Sequence, residues 1–142
     1  LEVALTDASC TIEVDLIQIR MVILAIVNNA KEAIVDNGII RMAARPVQWG
    51  QMPDRVCSEL KPGNYVCIGI EDNGSGMDDT MLRRLFDPFF STKFTGRGLS
   101  MAAVLGIVKR HRGWIMVSST IGKGTHVEIY LPQICPPPIA LV

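Results

Sequence analysis

Tyr65-Val66-Cys67-Ile68-Gly69-Ile70-Glu71-Asp72-Asn73-Gly74-Ser75-Gly76 is the stretch on which the reading of the fold turns. Its first half is a short, β-prone apolar run, which predicts a buried strand over 65–70. Its second half places a carboxylate and two glycines at the strand's end, where the chain must turn. Upstream, residues 49–63 read as a polar loop with two prolines and 39–47 as a preceding strand. Further back the period changes. Ile19, Val22, Ile23, Ile26, Ala30 and Ala33 recur at steps of three and four, one stripe of a helix that Asp15 can cap and Gly38 can stop. Before it, residues 3–5 and 10–14 flank the polar Thr6-Asp7-Ala8-Ser9 and predict an opening strand or hairpin.

Downstream, residues 78–85 predict a short helix, and 86–97 mix Phe, Pro, Thr, Gly and basic residues without either period, the signature of a functional loop. Residues 99–110 predict a buried helix, closed by Lys109, Arg110 and Arg112 and then Gly113. Two strands follow, 114–119 and 125–131, around Ile121-Gly122-Lys123-Gly124. From Pro132 onward lie four of the eight prolines, so the domain is expected to span 1–132 and 133–142 to be a tail or linker. The order is β, α, β, β, α, α, β, β. Paired strands separated by helices predict an α+β fold, a two-layer α/β sandwich with a mixed sheet and helices on one face.

Composition narrows the function classes. The 142 residues are 49% hydrophobic and 20% charged, enough for one domain with its own core. Lys plus Arg and Asp plus Glu number 14 each, so no charge excess points to nucleic acid or an anionic membrane. The longest apolar run, residues 21–27, is 7 residues, far short of a membrane helix, and direct membrane insertion is not expected. Cysteines at 10, 57, 67 and 135 lack metal spacing and no signal peptide opens the chain, so a cytoplasmic setting is expected. The first residue is Leu rather than Met, which suggests a piece of something longer.

Three glycine clusters lie at element ends: Gly74-Ser75-Gly76, Gly96-Arg97-Gly98 and Gly122-Lys123-Gly124. Glycine lets successive backbone N–H groups turn toward phosphate oxygens, and the second cluster also leads into a helix whose first N–H groups favour an anion. Each alone is explained equally well by a turn. In combination they are harder to explain as turns alone, and they suit phosphate if a nucleotide is present.

The combination resembles the ATP-binding catalytic domain of bacterial sensor histidine kinases, in the superfamily shared with DNA gyrase, mismatch-repair ATPases and heat-shock chaperones. Residues 15–18 through Asn29-Ala30 resemble the asparagine box, 71–77 the first glycine box, 85–93 the phenylalanine box, and Gly96-Arg97-Gly98-Leu99 and Gly122-Lys123-Gly124-Thr125 the remaining two. The resemblance implies the Bergerat-type fold, ATP and Mg²⁺ as cofactors, and a nucleotide site of Asn29, Asp72, Gly74, Gly76, Met77, Thr92, Lys93, Gly96, Arg97, Gly98, Leu99, Ser100 and Thr125. Asn29, on the inner face of its helix, is expected to offer its side-chain oxygen to Mg²⁺. Asp72 is expected to accept from the exocyclic amine of adenine, and Gly74 and Gly76 to let the base lie against the backbone. Thr125 adds a hydroxyl near Asp72. Residues 86–97 look like a lid, with Phe86, Phe89 and Phe90 as hinge and Lys93 and Arg97 reaching the phosphates. Asn29, Lys93 and Arg97 are the implied catalytic groups.

Two positions depart from the pattern. The family carries a second Asn one turn before Asn29, where this chain has Ala25, and gyrase-like relatives place there the Glu that activates water. Ala25 therefore argues against a gyrase-type ATPase. After Leu99 the kinases commonly read Gly-Leu, and this chain reads Ser100-Met101. A degenerate nucleotide-binding module with weak or no phosphotransfer stays open as the alternative. His111 and His126, the two histidines, lack the helical context of a phosphoacceptor. The resemblance thus implies an acceptor histidine on a dimerisation and histidine-phosphotransfer domain outside this chain, and a response-regulator receiver domain downstream.

Overall fold

A computed structural model describes residues 2–5, 10–50, 60–88 and 99–134 of the chain. Eight elements follow one another: β1 (Glu2–Leu5), α1 (Leu16–Ala33), β2 (Ile40–Trp49), β3 (Gly63–Asp72), α2 (Asp79–Arg84), α3 (Met101–Arg110), β4 (Trp114–Thr120) and β5 (Gly124–Pro132). The strands form one sheet in the order β1-β2-β3-β5-β4, parallel between β1 and β2 and antiparallel elsewhere. The mixed sheet and the alternation of elements are as expected.

Strand alternation sends Ile68 and Ile70 of β3 and Val127, Ile129 and Leu131 of β5 toward the helices. There they meet Ile19, Val22, Ala25, Ile26 and Ala30 of α1 and Met101, Val104, Ile107 and Val108 of α3 in one apolar core. Leu99, Leu85 and Phe86 pack on its edge. The other face carries a smaller cluster of Leu60, Tyr65, Cys67 and Tyr130, flanked by Trp49 and Trp114. Trp114 is thus a sheet-surface residue, its ring under Lys109 Nζ at 5.3 Å from the centroid. Among the described residues no helix is long and apolar enough to cross a membrane.

Local differences from expectation have physical causes. Residues 10–14 form no hairpin with β1, which instead pairs parallel to β2; Ile12 makes a single bridge to Gln133. Gln133 N–H donates to the Asn64 carbonyl at 2.9 Å and Ile134 N–H to that of Thr11 at 2.8 Å, which ties residues 133 and 134 to the start of β3 and to the segment before α1. Helix α1 begins as expected, with Asp15 Oδ1 accepting from Gln18 N–H at 3.1 Å. It ends at Ala33, well before Gly38, because Ile34 turns extended and the Ala33 carbonyl accepts from Ser75 N–H at 2.9 Å. Helix α3 closes with Arg112 and Gly113 N–H groups returning to the Lys109 and Val108 carbonyls at 2.9 and 3.0 Å. Arg112, not Gly113, adopts the left-handed conformation, with φ 61°. Gly113 is needed for a different reason: a Cβ there would stand 2.2 Å from the Tyr130 carbonyl oxygen.

Candidate nucleotide site

The helix-facing side of the sheet ends at Asp72, the last residue of β3 and the one buried charged residue among those described, 7% exposed. Its Oδ1 accepts from Gly74 N–H at 2.8 Å, and the Thr125 N–H across the ladder also favours the carboxylate form. Burial outweighs these contacts and pushes the Asp72 pKa above the usual carboxylate value. A carboxylate offers about four lone-pair sites, so two backbone donors leave room for a ligand's N–H.

The turn after Asp72 is clamped from two sides. Asn73 Oδ1 accepts from Ile39 N–H at 2.8 Å, and Gly122 N–H donates to the Ser75 carbonyl at 2.8 Å. A Cβ on Gly74 would lie 2.6 Å from the Ala33 carbonyl oxygen, and one on Gly76, at φ 70°, would lie 2.1 Å from that of Thr120. The approach of α1 and β4 therefore itself requires glycine at both positions. Gly124 meets the same demand from β3, its missing Cβ 1.9 Å from the Asp72 carbonyl oxygen.

Asn29 sits on α1 one turn before Ala33. At 3.6 residues per turn its direction falls between those of Val22 and Ala25, about 20° from the first and about 40° from the second. Both of these are buried, yet Asn29 is exposed. Asn29 is thus open to solvent while its neighbour Ala30 is in the core, on the helix whose last residue, Ala33, accepts from the loop after Asp72. Ala25 belongs to the core, 7% exposed, so the family's second Asn is replaced by packing.

Ser100 is the N-cap of α3, its Oγ accepting from Ala103 N–H at 3.2 Å. That contact uses a lone pair and leaves the hydroxyl proton available for an anion, while Met101 beside it is buried in the core. Thr125 is half-buried, and Met77 N–H donates to Ser119 Oγ at 2.8 Å. Ser119 was missed in the sequence: nothing distinguishes it within Ser118-Ser119-Thr120. Phe89, Phe90, Thr92, Lys93, Gly96, Arg97 and Gly98 lie outside the described residues.

A fold of this topology is shared with known proteins. Residues 14–134 match the family of histidine kinase-, DNA gyrase B-, and HSP90-like ATPases, and the chain belongs to it. Within that family its curated relatives include sensor histidine kinases, and the chain is an ATP-binding domain of that family. Sensor kinase CckA of Brucella abortus (strain 2308) is 33% identical over 125 residues, which are 87% of this chain and 13% of that protein. The signal transduction histidine-protein kinase AtoS of Escherichia coli (strain K12) is 37% identical over 114 residues, 80% of this chain and 16% of that protein. The chain therefore spans a small part of the curated relatives it matches. The fold itself is that of the catalytic domain of histidine kinase ThkA, with TM-score 0.70 and 23% identity over 92% of this chain and 76% of that one.

Proposed function

We propose that this domain binds ATP together with Mg²⁺ and presents the γ-phosphate to a histidine on a dimerisation and histidine-phosphotransfer domain of the same parent protein, from which a response-regulator receiver domain takes it, on the cytoplasmic side where ATP is available. The observation that carries the reading is Asp72, a buried carboxylate with acceptor capacity left after its backbone contacts. Asp72 would accept from the 6-amino group of adenine, and Asn29 would face the phosphates and their metal. Bound Mg²⁺ supplies charge neutralisation for a transfer that depends mainly on positioning. A single Asn fits that ion, which takes few protein oxygens and fills its shell with phosphate and water; among the described residues no group of three His, Cys, Asp or Glu is placed to hold a metal. Lys93, Arg97 and Thr92, with the glycines at 96 and 98, would close over the phosphates. Leu99 and Ser100 would then lie at the entry to α3, whose first N–H groups suit an anion.

The two departures from the family pattern do not favour a degenerate module. Ala25 fills core space, and Ser100 caps α3 while keeping a donor proton. Calorimetric titration with ADP tests the reading. Asp72→Asn is expected to weaken ADP binding at least about tenfold, since a hydrogen bond to a charged group contributes roughly 1.5–3 kcal/mol. An unchanged dissociation constant would place the adenine elsewhere.

A further inference from the structure

Ser119 Oγ has three polar neighbours, and they fix the direction of a proton. The Gly124 carbonyl oxygen lies 2.9 Å away and only accepts, so the single Ser119 proton points there. Met77 N–H donates to the same Oγ at 2.8 Å. Thr125 Oγ1 lies 2.8 Å from it. With its proton committed, Ser119 meets Thr125 only as an acceptor, so the Thr125 O–H points at Ser119. Thr125 is left with lone pairs and no proton for any other partner.

Thr125 stands opposite Asp72 in the β3–β5 ladder, and both lie on the helix-facing side of the sheet, in phase with Val127 and Ile70. A base edge entering beside them meets acceptors alone. We propose that Ser119 is a positioning residue that locks the Thr125 hydroxyl as an acceptor, and so selects a nucleotide carrying a 6-amino donor over one carrying a 6-carbonyl. The inference rests on the reading of Asp72 as the adenine partner.

The test is the ratio of ADP to IDP dissociation constants in the intact chain. Wild type is expected to prefer ADP. Ser119→Ala frees the Thr125 proton to turn and donate to the 6-carbonyl, and the preference is expected to fall by about fivefold or more, the scale of one hydrogen bond. Loss of the Met77 anchor weakens both nucleotides alike and leaves the ratio unmoved. Ser119→Thr, which keeps the hydroxyl, is expected to restore the preference. In a Thr125→Val background, Ser119→Ala is expected to change the ratio no further, because the two act through one contact. Should the alanine variant not fold, Ser119→Cys makes the same test with a weakly accepting sulfur. A ratio unmoved by Ser119→Ala, with ADP binding still dependent on Asp72, overturns this proposal alone; ADP binding indifferent to Asp72→Asn overturns the reading beneath it.

Discussion

At the scale of single residues, Asp72 joins a folding cost to a binding role, and the two titrate in opposite directions. Burial raises its pKa above the unfolded value, so between the two values the folded chain holds more protons than the unfolded one. Its contribution therefore disfavours the fold above the raised pKa, and that penalty is relieved as pH falls toward the ordinary carboxylate range. Nucleotide binding runs the other way, because the protonated carboxyl is a poorer acceptor for an amine. The affinity advantage of wild type over Asp72→Asn for ADP is expected to shrink on acidification, starting above the ordinary carboxylate range. Over the same window the stability of the ligand-free wild type is expected to rise relative to that variant. Titrations and urea melts at matched pH check both signs, and an advantage independent of pH would mean that the Asp72 charge is not used. The places of Asp72 on a strand end and of Asn29 on a helix were legible, because the apolar run and the helical period set them without knowledge of the rest. Ser119 was not, since its role depends on cross-strand register with Thr125 and on a contact from Met77, 42 positions away.

At the scale of elements, the periods of α1 and α3 and the apolar run of β3 gave the helices and central strands to within a few residues. The partner of β1 stayed hidden, because a parallel pairing across all of α1 leaves no mark in a four-residue run. Helix ends were misjudged where tertiary contacts override the stop signal, as at Ala33. Helix α3 and the turn that closes it hold two positions where local conformation and residue type disagree, and both give predictions. Gly106 lies within the helix, and a Cβ there would meet nothing within 4 Å. Gly106→Ala is expected to stabilise the fold by about 0.5–1 kcal/mol through the unfolded chain's lost freedom. Arg112 holds φ 61° at the C-terminal turn, a conformation that disfavours a Cβ. Arg112→Gly is expected to gain a similar amount, about 0.5–1 kcal/mol, as the strain is relieved. Equilibrium urea unfolding reads both. A loss at Gly106 would mean that the helix needs the open space, and a loss at Arg112 would mean that its side chain contributes more than its backbone costs.

At the scale of the whole molecule, the proposed function requires the domain to hold a nucleotide without offering its own histidines to it. A nitrogen can take a phosphoryl group only with a free lone pair, and the fold occupies both ring nitrogens of His111. Nδ1 faces the Ile107 carbonyl at 2.8 Å and so donates, while Nε2 accepts from the backbone N–H of Asp15 at 3.0 Å. The ring is a clasp between the end of α3 and the start of α1, two helices that supply much of the core. His126 stands half-buried on the face of the sheet away from the helices, between Glu71 and Ser118 in the ladders and on the side opposite Asp72. Neither histidine is placed to receive phosphate from a nucleotide beside Asp72 and Asn29. The chain alone, incubated with radiolabelled ATP and Mg²⁺, is therefore expected to acquire no acid-labile, base-stable label. Adding a helical dimerisation domain bearing the acceptor histidine is expected to give such label on that domain, and Asp72→Asn to reduce it by about the factor lost in ADP affinity when ATP is below saturation. Label on His111 would require the clasp to open and would overturn this assignment. Label on the supplied domain that persists undiminished in Asp72→Asn would separate phosphotransfer from the site described here.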